Sequence, residues 1–215
     1  SGKDSKKNDY GSGADKISIP PTLLFTALGV VEDVSRAVTL DFKADGDLIY
    51  VLGDTRDECG ASEYYNLLGA TGNRVPEVDT KVSKRTFEAL HKAMTLGFVA
   101  SCHDISDGGL GVALAECAIA GDLGARVELG SVPGAESVER NDLLLFSESQ
   151  GRFVVTVNPS LAGRFELLFA GLPCSKAGVV TAHPILQLLD KGSAAEICSL
   201  SVEQMRKAWK KPIDW

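Results

Sequence analysis

The stretch SCHDISDGGLGVALAEC, residues 101–117, decides how the chain is interpreted. The segment FVASCHDIS predicts a short strand that runs into the turn DGG. The Ala-rich segment that follows, ending at Gly121, predicts a helix whose small side chains allow close packing on a sheet. The strand would place His103 and Asp104 at a sheet end, and Asp107 would lie where a side chain can cap the helix.

The rest of the chain mixes strands and helices without a steady alternation. Hydrophobic spacing predicts a helix over residues 80–97, and a Gly-containing turn at 44–47 precedes a strong strand. Further helices are predicted at 161–171 and 201–209, and strands at 22–31, 37–42, 48–53, 124–129, 141–149, 151–159 and 177–183. This mixture favours an α+β fold, a layered mixed sheet with packed helices.

Composition places the chain among soluble globular proteins. Its 215 residues (22.7 kDa) suit one large domain or two small ones, and 44% are hydrophobic and 24% charged. The net charge of −7 and the lack of a basic stripe argue against a general nucleic-acid binder. The sequence holds no run of about 18 apolar residues, so no membrane span is predicted.

The cysteines and the first residues of the chain bear on its cellular compartment. The five cysteines are scattered and form no CxxC or Cys/His ligand spacing, which favours reduced thiols and, as the default, the cytoplasm. The opening SGKDSKKNDY is polar and unlike a signal peptide. Because there is no initiator Met, the chain is predicted to be a fragment of a longer one.

The turn at 103–109 has two interpretations. In the first, Gly108 and Gly109 let backbone amides approach an anion at the helix N-terminus, and Asp104 and Asp107 hold a magnesium ion that bridges phosphates. In the second, the turn only joins strand to helix and its polar side chains cap the helix. His103 is the only histidine beside acidic residues, which favours it for proton transfer.

Two further polar segments are candidate binding sites. In SGKDS, Gly2 would let the backbone approach a phosphate, Lys3 would supply positive charge and Ser5 a hydrogen-bond donor. The segment is similar to a phosphate cradle but lacks the GxxxxGK[ST] pattern of a P-loop. The alternative is a polar terminal loop. In FSESQGRFVV, a carboxylate, a hydroxyl and an amide stand at the start of a strand and would either bind one polar ligand or form an exposed turn. These are Glu148, Ser149 and Gln150.

Several motifs together resemble the large subunit of phosphoribosylformylglycinamidine synthase. They are HDISDGGLGVALAECAIAG (103–121), IPPTLL (19–24) and DGDLIYVLGDTRDECGASEYY (45–65). The first marks the ATP-binding superfamily that includes aminoimidazole ribonucleotide synthase, and SGKDS with IPPTLL is specific to the ligase. The resemblance implies a fold like the C-terminal domain of aminoimidazole ribonucleotide synthase. It implies these domains: 1–45, the last strands of a second A domain; 46–200, a second B domain; and 201–215, a C-terminal helix and tail.

The resemblance also implies a reaction and its contacts. The family converts formylglycinamide ribonucleotide to the amidine in purine biosynthesis, with ATP, Mg²⁺ and glutamine-derived ammonia. Gly2 and Lys3 then match ATP contacts and Ser5 a substrate contact. Lys3 stands where many relatives have an Asn that binds magnesium, and an ammonium group cannot do so. The triplet 148–150 is similar to a substrate-binding triplet of the first B domain, and the turn 103–109 would belong to a second nucleotide site.

No catalytic residue is expected in this chain, because the family's acid–base histidines lie in the first A domain. The fragment would be inactive alone. Its expected partners are the missing N-terminal domains, a glutaminase domain or subunit and a small ribonucleotide. A B domain without its A domain would expose an apolar patch, which predicts homodimerisation. The alternatives are a non-catalytic scaffold of that enzyme and another superfamily member, such as aminoimidazole ribonucleotide synthase.

Overall fold

The computed structural model describes residues 9–10, 17–18, 26–31 and 33–213. The chain divides into two compact units, Ser1–Ser35 and Arg36–Trp215. In the first unit, β1 (Asp9–Tyr10) and β2 (Ile17–Ser18) form a two-stranded antiparallel sheet. The candidate residues Gly2, Lys3 and Ser5 lie outside the described residues.

The described part of the segment 22–31 is not a buried strand. Residues 26–31 have no regular structure, and Leu28 and Val30 are more than nine-tenths exposed. Apolar sequence alone predicted burial, but burial requires a partner surface, and none of the described strand pairings includes these residues. The predicted strand is therefore wrong over 26–31.

The second unit is built on a seven-stranded mixed sheet. Its strands are β3 (Leu48–Leu52), β4 (Ser101–Ile105), β5 (Gly124–Glu128), β6 (Arg152–Val157), β7 (Cys174–Thr181), β8 (Ile185–Leu189) and β9 (Glu196–Ser201). The strand order is β4-β6-β3-β7-β5-β8-β9. Neighbours are antiparallel except β5 and β8, which are parallel.

Helices cover both faces of this sheet. They are α1 (Glu63–Leu67), α2 (Thr80–Thr95), α3 (Gly109–Gly121), α4 (Asn141–Phe146), α5 (Ala162–Leu168) and α6 (Val202–Lys210). Strand β3 alternates, so that Ile49 and Val51 join the core beneath α3, α4 and α6, while Tyr50 and Leu52 join the core beneath α2 and α5. The layered α+β class predicted from the sequence is confirmed.

Two predicted strands are replaced by other structure. Residues 37–42 are irregular, although the Cys102 N–H donates to the Thr39 carbonyl at 3.1 Å. There the Thr39 hydroxyl bonds Asp41 at 2.6 Å and accepts from Lys43, and such local side-chain bonds compete with a ladder. Residues 141–146 form α4 rather than a strand, since a short apolar run fits either and packing on α3 decides.

No helix among the described residues is long and apolar enough to cross a membrane.

Most of the thiols lie in the two cores. Burial raises the pKa of Cys102, Cys117 and Cys174 to about 12 and that of Cys59 to about 11, against an ordinary value of 9.0. Their raised values mean that the folded chain holds thiol protons that the unfolded chain releases above pH 9.

The free energy of unfolding is therefore expected to fall as the pH rises from about 9 towards 12. At pH 10 the loss is about 1 kcal/mol for each of the Cys102 and Cys117 thiols. Urea denaturation at pH 8 and pH 10 measures this loss in the free energy of unfolding. Cys117→Ala lowers the stability at both pH values but should flatten the dependence. Equal urea midpoints at the two pH values for the unmodified chain would contradict the expectation.

Candidate functional site

The bend between β4 and α3 is made by two glycines in the left-handed region. Gly108 has φ +80° and Gly109 φ +70°, a conformation that residues with a Cβ rarely adopt. Gly108 is the N-cap residue that precedes α3, and it offers no side chain to cap the helix. Asp107 is exposed and does not cap, so the predicted capping role is wrong. A glycine at the cap position leaves the first turn to be satisfied from elsewhere in the fold.

The amides of this bend already have partners within the protein. The Gly108 N–H donates to Glu148 Oε1 at 2.9 Å, and the Gly109 N–H to the Ser106 carbonyl at 3.0 Å. A Cβ on Gly109 would lie 2.6 Å from the carbonyl oxygens of Leu145 and Ser147. The glycines thus satisfy backbone conformation and close packing, and these two N–H groups are not free for an anion.

His103 lies between two carboxylates at the edge of the sheet. Its Nε2 is 2.7 Å from Glu116 Oε2, and its Nδ1 is 3.5 Å from Asp104 Oδ1. The imidazole is mostly buried, whereas Asp104 is two-thirds exposed. The short contact joins β4 to α3, which gives His103 a structural role at this edge.

Glu148 connects two candidate segments of the second unit, the turn 103–109 and the triplet 148–150. Its Oε1 accepts from Gly108 N–H and also, at 3.1 Å, from the Glu63 N–H in the first turn of α1. A carboxylate at two helix starts complements the partial positive charge of both. The sequence did not predict this contact, because the residues lie 40 and 85 positions apart.

The other two members of the triplet differ in exposure. Ser149 is buried, and its Oγ accepts from the Arg56 N–H at 3.1 Å. Gln150 is exposed and donates from Nε2 to the Glu148 carbonyl at 3.0 Å. Gln150 is thus the most exposed of the three, Glu148 is partly buried, and all three make hydrogen bonds within the protein.

A buried arginine supports the triplet from behind. Arg152 is 1% exposed and donates to the Ser149 carbonyl, the Thr55 hydroxyl and the Ser147 carbonyl. Burial lowers the pKa of its guanidinium to about 10, while Glu58 and Glu148 favour the charged form. This role was not predicted from the sequence. The position of Arg152 two residues before the core residue Val154, on the same face of β6, was the available signal.

A small cavity lies between the triplet and the start of α2, and a groove adjoins it. The cavity holds about 20 Å³ and the groove about 510 Å³, and both are lined by Arg56, Glu58 and Glu77. Ser149 and Gln150 also line the cavity. The Arg56 side chain is about half exposed and lies 3.8 Å from Glu58. None of Arg56, Glu58 and Glu77 was predicted, because no local pattern marks residues that meet only in the fold.

The predicted magnesium ion was assigned to Asp104 and Asp107. Over the residues the structure describes, no group of three or more His, Cys, Asp or Glu side chains could hold a metal ion. Asp104 and Asp107 are exposed and do not form such a group. The described residues therefore offer no site of three or more such side chains for a magnesium ion.

Comparison with known families places this fold. A family model described as AIR synthase related protein, C-terminal domain, matches residues 44–191. The chain belongs to this family. This chain is similar to the phosphoribosylformylglycinamidine synthase subunit PurL of Alkaliphilus metalliredigens. The two are 35% identical over 199 residues, which make up 91% of this chain and 26% of that protein. The predicted resemblance to this synthase is confirmed.

Two solved structures of T. maritima PurL are similar to this AIR synthase family chain. PurL complexed with FGAR gives a TM-score of 0.71 at 23% identity, over 80% of this chain and 29% of that one. PurL complexed with ATP gives a TM-score of 0.63 at 23% identity, over 80% of this chain and 27% of that one. These matches confirm the expected fold. The chain spans about a quarter of the length of the curated relatives it matches.

Proposed function

We propose that this chain is the C-terminal part of a phosphoribosylformylglycinamidine synthase, an ATP-dependent ligase of purine biosynthesis that uses glutamine as amido donor. The observation that carries the proposal is the 35% identity to PurL across 91% of the chain. The remaining domains of the enzyme and a glutaminase are its proposed partners, and the cytoplasm its proposed compartment.

Within this proposal the described residues form a binding wall rather than the reacting groups. Arg56 projects between the cavity and the groove, where a guanidinium can bind an anionic group of a ligand. Gln150 offers an amide at the cavity. ATP supplies the phosphoryl group that activates the substrate amide, and Gly2, Lys3 and Ser5 are its proposed neighbours. No step is assigned to a magnesium ion on the described residues.

Exposed apolar side chains in one segment support the proposed partner domains. Leu67, Leu68, Val75 and Val78 lie between β3 and α2 and are each more than half exposed. Several large apolar side chains close together in sequence on a surface are typical of a protein contact. A partner domain or a second copy of the chain is proposed to cover them.

A chimera tests the proposed function. The matching quarter of Alkaliphilus PurL is replaced by this chain, and growth of a purine auxotroph that lacks PurL is measured. Growth without added purine is expected. The chimera carrying Gly2→Trp is expected to lose it, because the indole would fill the proposed ATP contact. A folded, soluble chimera that supports no growth would contradict the proposal.

A non-catalytic scaffold role is the second candidate. It is favoured by the internal bonds of the bend and the triplet, since Gly108, Gly109 and Glu148 all use their polar groups within the domain. Unchanged growth of the chimera with Gly2→Trp and with Ser5→Ala would support this candidate over a ligand-binding wall.

A further inference from the structure

Two buried serine hydroxyls bind the backbone of Arg56. Ser147 Oγ donates to the Arg56 carbonyl at 2.6 Å, and Ser149 Oγ accepts from the Arg56 N–H at 3.1 Å. The two hydroxyls lie 3.1 Å apart, and the serines are 0% and 2% exposed. Both backbone polar groups of this one residue are therefore bound by side chains of the segment that precedes β6.

A buried arginine extends this network behind the serines. Arg152 donates to the carbonyls of both serines and to the hydroxyl of Thr55, the residue before Arg56. Thr55 is 0% exposed. A buried polar network whose members are paired makes a segment rigid and specifies one conformation. Here the network surrounds the backbone at residues 55 and 56.

The side chain of Arg56, in contrast, is open to a ligand. It is about half exposed and lines both the small cavity and the groove. Its one ion pair among the described residues is with Glu58, at 3.8 Å, which is longer than a hydrogen bond. The guanidinium has N–H donors in a planar fork that matches a carboxylate or a phosphate.

Three carboxylates that line the cavity or the groove already have other partners. Asp57 forms a salt bridge with Arg74, and Glu58 accepts from a backbone N–H at 3.2 Å. Asp79 accepts from two N–H groups at the start of α2. These bonds leave the donors of the Arg56 guanidinium for a further group.

We propose that Ser147 and Ser149 are positioning residues, which fix Arg56 so that its guanidinium binds a phosphate group of a ligand in the groove. Ser149 does not contact the ligand in this arrangement, because it is buried and its hydroxyl is bonded to Arg56. The ligand, ATP or formylglycinamide ribonucleotide, rests on the proposed function. The placement of Arg56 by the two serines does not.

Hydrogen exchange of the full 215-residue chain, followed by NMR, tests the placement. The Arg56 amide is expected to be protected, because it donates to a buried hydroxyl. Ser149→Ala removes that acceptor, so the Arg56 amide should exchange about 10-fold faster or more relative to the amides of β3. An unprotected Arg56 amide in the unmodified chain, or an unchanged ratio in Ser149→Ala, would overturn the proposal.

Ser101→Ala is the matched control for this exchange experiment. Ser101 is 1% exposed, and its hydroxyl pairs with Thr156 at 2.6 Å, away from the groove. The variant also loses a buried hydroxyl bond, so it should lower the free energy of unfolding. The exchange of the Arg56 amide relative to β3 should not change. An equal change of that ratio in Ser101→Ala and Ser149→Ala would overturn the specific role of Ser149.

Steady-state kinetics of the purified PurL chimera test the ligand. Arg56→Ala is expected to raise the KM for ATP or for formylglycinamide ribonucleotide by about 10–100-fold with little change in kcat, and the affected substrate identifies the phosphate. Ser149→Ala is expected to raise the same KM by about 3–10-fold, and Ser101→Ala to leave it unchanged. Unchanged KM values for both substrates in Arg56→Ala would overturn the proposal.

A double variant shows whether the serine acts through the arginine. The chimera with Arg56→Ala and Ser149→Ala together should have the KM of Arg56→Ala alone, because the serine has no guanidinium left to place. A further rise in KM would mean that Ser149 acts on the ligand directly and would overturn the positioning role. A folded chimera that is inactive without these variants contradicts the ligase function instead, and the exchange rates then decide the placement of Arg56.

Discussion

Replacing Arg152 with methionine is expected to lower the free energy of unfolding by about 3–5 kcal/mol. The side chain is 1% exposed and donates to oxygens of Ser147, Ser149 and Thr55. Methionine fills much of the volume but leaves those acceptors unpaired. It also leaves the buried carboxylate of Glu58 without the guanidinium that offsets its charge. Urea denaturation of the purified variant measures the loss.

Two companion variants isolate the cause. Arg152→Lys keeps the charge but not the planar fork, so it should recover only part of the stability. Arg85→Met, on the exposed surface of α2, should change the free energy of unfolding by less than about 0.5 kcal/mol. If Arg152→Met costs as little as Arg85→Met, the buried network does not hold the triplet in place.

Gly109→Ala is expected to destabilise the domain by about 3 kcal/mol or more. Its φ of +70° is unfavourable for alanine, and the new Cβ would lie 2.6 Å from two carbonyl oxygens, those of Leu145 and Ser147. Neither is the end of a flexible side chain, so α3 and the C-terminal end of α4 would have to separate. The urea midpoint of the purified variant measures the change.

Gly163→Ala is the matched control. Gly163 lies within α5, and no atom comes within 4 Å of the position that a Cβ would take there. Alanine at this position should raise the stability by about 0.5–1 kcal/mol, because it restricts the unfolded chain and favours the helix. Opposite signs for the two variants are expected. A Gly109→Ala variant as stable as the unmodified chain would mean that the glycine is not required for packing.

Local patterns predicted much of this fold. The strand-turn-helix around residues 101–121, the helix over 80–97 and the strand at 48–53 are found as β4 with α3, α2 and β3. These elements have clear hydrophobic spacing and glycine stops. The strands β8 and β9 were not predicted, because their apolar residues are interrupted by polar ones and their burial depends on neighbours far along the chain.

The candidate site was less predictable for the same reason. The sequence marked Gly108, Gly109 and the triplet, but it left open whether the glycines serve ligand approach or only join strand to helix. The fold uses them for packing and for the bond to Glu148. Glu58 and Thr86 line the small cavity, yet nothing adjacent to either residue in sequence indicates that they meet there. Residues this far apart along the chain become neighbours only through tertiary packing.

The strand order has a consequence for synthesis on the ribosome. None of the three early strands β3, β4 and β5 pairs with another of the three, since each pairs only with strands that begin at Arg152 or later. A nascent chain that has emerged only as far as the middle of the domain therefore has apolar strands without any ladder to join. Such non-local pairing slows folding. The sheet is therefore expected to form only after β6 and β7 have emerged.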